Sequence, residues 1–189
     1  MLFNPKIYQD NVGEMILKNI KTETRRMWKP NFIYMQEQKA IVYMTMRGRR
    51  IKWKAGHTFA VQLGRGQPGL KYCPECLAVQ ENRGRGYQIL YHNYRHTKPC
   101  KLKKVRPVIK NVWPETLFDI KKSSLEAEGE FTTLNEYLKA FYEANKKESI
   151  ARKALKALEE GKSKEELKKI WNPKVAVIKF LGNEKERKR

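Results

Sequence analysis

The stretch Lys21-Thr22-Glu23-Thr24-Arg25-Arg26 places three cations and two hydroxyl groups within six residues. An amphipathic segment precedes it, beginning at Asn4-Pro5, where a capping side chain is followed by proline at the first helical position. The apolar residues of that segment recur at helical spacing: Tyr8, Val12, Met15 and Ile16. The pattern predicts a helix, after which the chain turns at Lys18-Asn19 and enters residues 21–26, here called the 21–26 motif.

Downstream of the 21–26 motif, the composition is typical of β-strands. Residues 40–46, 51–53 and 58–63 are rich in strand-forming side chains and are separated by turn residues. Residues 105–112 predict another strand, which Pro107 restricts to an edge or a bulge. Residues 175–181 are an apolar run that predicts a buried closing strand.

Helix signals lie between the last two strands. Three capping boxes pair Ser123 with Glu126, Thr133 with Glu136, and Ser163 with Glu166. The resulting order is helix, strands, helices, strand. This order predicts an α+β fold in which a small β-barrel is decorated by helices, rather than alternating βαβ units.

Charge is concentrated in one part of the chain. The formal net charge is +21. Residues 38–114 hold 17 Lys and Arg against two acids, Glu75 and Glu81, whereas residues 115–169 hold 12 of each sign. A polyanion is the expected partner: nucleic acid first, an acidic membrane surface second, with a merely solubilising surface as the plain alternative.

Location is predicted from absences in the sequence. There is no run of ~18 apolar residues of the kind that spans a membrane, and the first residues contain no apolar core of signal-peptide type. Three cysteines cannot form a closed disulfide set. We therefore expect a cytoplasmic protein without membrane contact.

A cysteine–histidine cluster predicts a structural zinc site. Cys73-Pro-Glu-Cys76 is a two-ligand knuckle of the spacing that zinc uses, and Cys100 supplies a third thiolate. His96 is the expected fourth ligand, with His92 as the alternative. Zinc would fold a glycine-rich insert, 64–104, that has little apolar content of its own. Free thiols, a catalytic zinc and a redox dithiol are the other interpretations.

Basic and aromatic residues interleave in and after this insert. Cations that follow phosphates and rings that stack on bases suit single-stranded nucleic acid, although a solvated loop would have the same composition. With the arginines of the 21–26 motif, the predicted nucleic-acid-binding residues are Arg25, Arg26, Arg83, Arg85, Tyr91, Tyr94, Lys101, Lys103, Lys104 and Arg106.

The 21–26 motif resembles the K-T-x-T-x-R signature of ASCH domains. Residues 53–61, 117–120 and 175–181 resemble later segments of that family, in the same order. The resemblance implies a PUA-like β-barrel with a cleft, and RNA or nucleosides as ligands. It places one domain at 1–181, which includes the 64–104 insert and a helical insertion at 133–171, followed by a charged tail at 182–189.

The same resemblance implies a possible reaction. Acetylcytidine amidohydrolases of this family use a Lys, a Thr and a Glu, which match Lys21, Thr24 and Glu130, with Glu128 as the alternative acid. A threonine hydroxyl needs a base to become a nucleophile, and a lysine is a base only when neutral. The alternatives are a ribonuclease, a module in which Lys21, Arg25 and Arg26 only hold phosphates, and a protein-docking part of a ribonucleoprotein that uses helices 133–170.

Overall fold

The computed structural model describes residues 12–62, 69–73, 79–80, 82–83, 88–89, 103–129 and 131–182. The helices are α1 (Val12–Leu17), α2 (Lys122–Gly129), α3 (Leu134–Ala144), α4 (Ser149–Glu159) and α5 (Lys164–Ile170), with a 3-10 turn at Leu117–Asp119. The strands are β1 (Glu23–Met27), β2 (Phe32–Met35), β3 (Ala40–Thr45), β4 (Gly48–Lys54), β5 (Lys71–Tyr72), β6 (Val79–Gln80), β7 (Asn82–Arg83), β8 (Gln88–Ile89), β9 (Lys103–Lys104), β10 (Val108–Thr116) and β11 (Lys174–Leu181). The predicted α+β class is confirmed.

A three-stranded antiparallel sheet, ordered β1–β11–β10, divides the molecule. β11 lies in the middle and is buried along most of its length, as its apolar sequence predicted. Successive residues of a strand point to opposite faces. Ala176, Ile178 and Phe180 therefore face one hydrophobic core, and Val175 faces another.

The first core lies between the dividing sheet and a second sheet, ordered β2–β3–β4. Ile41 of β3 and Ile16 of α1 are fully buried in it. Aromatic rings from the second sheet pack edge-on within it, with Phe32 between Trp28 and Trp53. This core joins the N-terminal helix to the strands that follow it.

The second core is helical. Apolar residues of α3, α4 and α5 bury against the other face of the dividing sheet, with Leu138, Ala154 and Leu167 at its centre. The capping boxes at Thr133 and Ser163 are confirmed. The third predicted box is wrong: α2 begins at Lys122, so Ser123 lies inside the helix and cannot cap it.

The predicted closed barrel is not formed by the strands that the structure describes, which make four separate antiparallel sheets: β1–β11–β10, β2–β3–β4, β6–β5–β9 and β7–β8. Over its described part, the strand predicted at 58–63 appears only as isolated bridge residues, Thr58 and Gln62, of which Thr58 pairs with Val108. Pro107, beside that bridge, accepts a hydrogen bond from the Phe59 N–H but has no N–H to return. A continuous ladder therefore cannot pass this point, and β10 begins after the proline.

The end of β11 packs against the end of α1. The Gly182 N–H donates to Asn19 Oδ1 at 2.8 Å, and a Cβ on Gly182 would lie 1.5 Å from the Ile16 carbonyl oxygen. Gly182, which the sequence assigned to the tail, is thus a buried part of the fold; residues 183–189 lie outside the described ranges. No helix in those ranges combines the length and apolar character that a membrane span requires.

Candidate functional site

Lys21, the first residue of the 21–26 motif, is fully buried. Its Nζ donates to the Glu23 carbonyl oxygen at 3.1 Å, to Glu128 Oε2 at 3.2 Å and to the Glu128 carbonyl oxygen. A lysine ammonium has three N–H donors and no acceptor. These three oxygens supply acceptors for the N–H donors of the Lys21 ammonium.

Arg25 is buried beside Lys21 and bound by carboxylates. Its Nε lies 2.5 Å from Glu115 Oε1, and its Nη1 lies 3.2 Å from Glu128 Oε1 and 3.5 Å from Glu23 Oε2. Burial by itself lowers the pKa of Arg25, but Glu128, Tyr137 and Glu115 outweigh it and raise the pKa above its ordinary value. Arg25 is therefore a permanent cation whose guanidinium is already paired.

These groups form one nearly neutral cluster, here called the charge network. Lys179 joins it at the rim, 3.6 Å from Glu23 Oε1, and the Trp113 indole N–H donates to Glu115 Oε2 at 3.2 Å. Among the described residues, the network balances three cations with three carboxylates: Lys21, Arg25 and Lys179 with Glu23, Glu115 and Glu128. Arg25 was predicted to bind phosphate, and a phosphate would have to displace these carboxylates to reach it.

Thr24 lies on the other face of the dividing sheet. The 21–26 motif continues as the extended strand β1, in which Thr24 is opposite Ile178 and Arg25 is opposite Val177. Adjacent residues of a strand point to opposite faces. Thr24 and Arg26 therefore share the face of the first core, and Arg25 faces the helices. The three-residue spacing between Lys21 and Thr24 would bring their side chains together on a helix, but not here.

A cavity of about 120 Å³, here called the β1 cavity, follows the open edge of β1, which has no partner strand on that side among the described residues. One wall is the strand itself, from Thr24 to Met27, and another is one face of α3; Glu128 of α2 and Phe131 also line the cavity. The lining residues from α3 are Tyr137, Ala140, Phe141 and Ala144, with Asn145 after it. The cavity thus combines aromatic surface, a carboxylate and a strand edge.

The hydrogen-bond register shows which main-chain groups face that edge. The Trp28 N–H donates to the Lys174 carbonyl, and the Phe180 N–H donates to the Thr22 carbonyl. In this antiparallel ladder the even-numbered residues of β1 therefore bond to β11. The N–H and C=O groups of Arg25 and Met27 point away from β11, towards the open edge, where they present adjacent donors and acceptors.

A second charged feature lies on the small sheet β6–β5–β9. Lys71 of β5 is directly opposite Lys104 of β9, and both side chains are exposed. Lys103 and Arg106, close by in sequence, are also exposed. Like charges directly opposite each other destabilise a sheet. A bound anion would relieve that repulsion, so this surface is suited to phosphate.

Most of the residues predicted to bind zinc or nucleic acid in the insert lie outside the described ranges. Cys73 is buried after β5, and Arg83 lies in β7. Within the part of the chain that the structure describes, no three His, Cys, Asp or Glu side chains form a metal-binding group. The other predicted residues lie outside the described ranges: Cys76, Arg85, Tyr91, His92, Tyr94, His96, Cys100, Lys101 and Glu130.

Sequence reasoning missed two carboxylates and one wall of this site. Glu115 follows the apolar strand residues Val112, Trp113 and Pro114, and an acid at such a position is a signal of a buried ion pair. Glu23 lies within the motif itself but was not assigned a role. The α3 wall gave no separate signal, because its apolar stripe is equally expected of a core helix.

Comparison with known proteins supplies no relative. No protein-family model matches the chain, and no match was found among curated proteins or solved structures. The ASCH resemblance therefore rests on the quoted motifs, and functional inference rests on the geometry described above.

Proposed function

We propose that this chain is a relative of the ASCH domains, built as an open variant of the PUA-like architecture, that binds single-stranded RNA. Phosphates would lie along the exposed basic strands, and one base would enter the β1 cavity. The observation that carries the proposal is the opposed, exposed pair Lys71 and Lys104 within a segment of net charge +15. RNA rather than DNA is chosen because of the resemblance.

Burial and ion pairing divide the cations into two groups. Lys21 and Arg25 are neutralised inside the charge network. The strand cations Lys71, Lys103 and Lys104 are exposed, and the acids of their segment are limited to Glu75 and Glu81. Phosphate contacts depend on such uncompensated charge and release counterions when they form. The basic strands, rather than the buried motif, are therefore the proposed phosphate site.

The β1 cavity supplies the proposed base site. Its volume of about 120 Å³ is well below the roughly 300 Å³ at which pockets for drug-sized ligands begin, so a single ring suits it better than a whole nucleotide. RNA-binding proteins read unstacked bases through hydrogen bonds to the base edges and through contact with aromatic rings. The main-chain groups of Arg25 and Met27, with the Phe141 ring, offer both kinds of contact.

Charge reversal tests the phosphate site. We expect Lys71→Glu with Lys104→Glu to weaken binding of a fluorescent single-stranded RNA at least about tenfold in an anisotropy titration, because two phosphate contacts are lost. Lys168→Glu with Lys169→Glu is the matched control, since both lysines are exposed on α5 in the neutral part of the chain. Equal losses from the two double variants would contradict the proposal.

A second candidate function, hydrolysis of an acylated nucleoside or of RNA, is favoured by one observation. Lys21 and Glu128 pair at 3.2 Å, and Thr24 and Glu128 both line the β1 cavity. In that mechanism a base would take the Thr24 hydroxyl proton, with Lys21 and either Glu128 or Glu130 as its partners. Lys21 would first have to give up a hydrogen bond, and the Thr24 side chain, which faces the first core, would have to turn towards the β1 cavity.

Turnover of N4-acetylcytidine distinguishes the two candidates. If the chain is an amidohydrolase, the wild type releases acetate and cytidine, and Thr24→Ala abolishes release while circular dichroism shows the fold unchanged. No turnover by the wild type, or equal turnover by both proteins, would remove the amidohydrolase form of this candidate. Thr24→Ala is preferred to a Lys21 variant because it leaves the ion pairs of the charge network in place.

A structural zinc remains part of the proposal. Thiolates at knuckle spacing are ligands that zinc prefers, and Cys73 is the one candidate ligand within the described residues. Cys76, Cys100 and His96 or His92 would complete the site. Such an ion would fix the segment that carries the proposed base-stacking tyrosines, Tyr91 and Tyr94.

A further inference from the structure

We infer that the outward face of the β2–β3–β4 sheet, the face turned away from the first core, is a docking surface for a partner protein that presents aliphatic side chains bordered by carboxylates. This surface is distinct from the basic strands β5 and β9 and from the β1 cavity. It would bind a protein partner in addition to the proposed RNA, through different residues.

An aliphatic row crosses all three strands on this face. Ile33 of β2 is opposite Val42 of β3, and Val42 is opposite Ile51 of β4. Ile33 is 39% exposed and Ile51 is 48% exposed, on either side of the buried Val42. Met44, further along β3, is 42% exposed. Neighbouring apolar groups that remain in contact with water mark interaction sites more often than scattered ones do.

The same sheet directs its aromatic rings the other way. Phe32, Tyr34, Tyr43 and Trp53 all pack against the first core. The outward face is therefore aliphatic, whereas single-stranded RNA is bound by stacking bases on aromatic rings. The composition of this face favours a protein partner over RNA.

The border of the face determines the charge of that partner. Arg49 is opposite Met44, and Arg47 lies in the turn between β3 and β4. The strands β3 and β4 contain no acid. A second copy of this chain would bring like charges together, so a partner with carboxylates around its apolar contact is the complementary choice.

The cations of β4 also determine how the partner docks. β4 is an edge strand among the described strands, and Arg49, Arg50 and Lys52 are all exposed on it. Charged side chains on an edge discourage the addition of another strand. The partner would therefore lie across the face of the sheet rather than extend it.

Model peptides test this surface on the full chain. The probe is a helical peptide of Leu and Glu with one apolar stripe, compared with the same peptide carrying Lys for Glu. We expect the Glu peptide to bind in a fluorescence titration and the Lys peptide to bind much more weakly. Ile33→Thr with Ile51→Thr should weaken the Glu peptide about tenfold, since truncating central contacts commonly costs that much.

Two controls keep the test decisive. Ile150→Thr removes a similar side chain, 40% exposed on α4, and should leave binding unchanged. Threonine suits strands; should the double variant still fail to fold, Arg49→Glu alone should weaken the Glu peptide and strengthen the Lys peptide.

Each contrary result overturns the inference. If the Glu peptide binds no better than the Lys peptide, the charge assignment fails. If the Ile33 and Ile51 substitutions leave the peptide unaffected, the aliphatic row is not the contact. If they weaken single-stranded RNA as much as the peptide, the face belongs to RNA, and if they abolish self-association seen by sedimentation, it belongs to a second copy. RNA binding that is lost on reversal of Lys71 and Lys104, but kept in the Ile33 and Ile51 variant, would show that the two surfaces act independently.

Discussion

Lys21 and Glu128 are 107 residues apart in sequence and form an ion pair of 3.2 Å in which the side chains are 0% and 2% exposed. The pair joins the start of the 21–26 motif to the end of α2, where the Thr22 N–H also donates to the Ala127 carbonyl. The motif that resembles the ASCH signature is therefore an anchor of the fold as well as a candidate site.

Removing the Glu128 charge should destabilise the protein strongly. Glu128→Gln leaves Lys21 and Arg25 buried with one carboxylate fewer, and breaking a buried pair in this way costs about 3–5 kcal/mol. Urea denaturation would measure the loss. Glu126→Gln, on the exposed side of the same helix, should change the free energy of unfolding by less than about 0.5 kcal/mol. Similar values for the two variants would show that the pair is not an anchor.

Adding a methyl group to Gly182 should loosen the contact between β11 and α1. The new Cβ would lie 1.5 Å from the Ile16 carbonyl oxygen, so the backbone must move. We expect Gly182→Ala to lower the free energy of unfolding by about 1–3 kcal/mol, as at other overpacked sites. At Gly69 the nearest atoms to a Cβ are at 3.5 Å, and Gly69→Ala should have little effect. A thermal melt of each variant decides; an unchanged midpoint for Gly182→Ala would contradict the packing.

Removing one buried hydroxyl should stabilise the protein. The Tyr142 hydroxyl is buried and has no hydrogen-bond partner among the described residues, and an unsatisfied buried group carries a desolvation cost of about 1–3 kcal/mol. Tyr142→Phe should therefore raise the free energy of unfolding by about 1 kcal/mol. Tyr137→Phe should bring no such gain, because Tyr137 interacts electrostatically with Arg25. A loss of stability in Tyr142→Phe would indicate a hydrogen bond at that hydroxyl.

The same tyrosine gives the protein a pH dependence. Burial raises the pKa of Tyr142 to about 12, against about 10 in an unfolded chain. The folded state therefore favours the neutral phenol. The resulting contribution to the free energy of unfolding is complete below pH about 10 and is lost as pH rises towards 12. The stability advantage of Tyr142→Phe should widen across that interval in urea titrations. A constant difference between the two proteins would contradict the raised pKa.

Zinc content can be measured directly. We expect one zinc per chain in native mass spectrometry of protein purified without added metal, and Cys73→Ser should lower both zinc content and thermal stability. Lys139→Ser, at an exposed position on α3, is the control variant and should keep the zinc content and melting temperature of the wild type. A zinc-free wild type, together with an unchanged melting temperature in Cys73→Ser, would exclude the structural zinc.

Local sequence signals predicted the parts of the fold that depend on neighbouring residues. The strands β3 and β11 and the capped helices α3 and α5 follow from patterns of a few residues each. The predicted strand at 58–63 failed because pairing requires a partner that can donate, and Pro107 cannot.

The candidate site was harder to predict because it depends on long-range register. The sequence predicted that Arg25 binds phosphate, yet Glu115 and Glu128 neutralise it from positions about a hundred residues away. The three-residue spacing would bring Thr24 beside Lys21 in a helix, but the strand conformation of β1 directs the Thr24 side chain to the opposite face. Neither relationship follows from local composition.

The salt dependence of RNA affinity tests the central claim most directly. If roughly five phosphates are bound, a plot of log affinity against log salt should have a slope near −3.5 for single-stranded RNA. Lys71→Glu with Lys104→Glu should make that slope shallower by about 1.4, the share of two phosphates, whereas Lys168→Glu with Lys169→Glu should leave it unchanged. An affinity that does not vary with salt, or a slope that the Lys71 and Lys104 reversals do not alter, would contradict RNA binding on these strands.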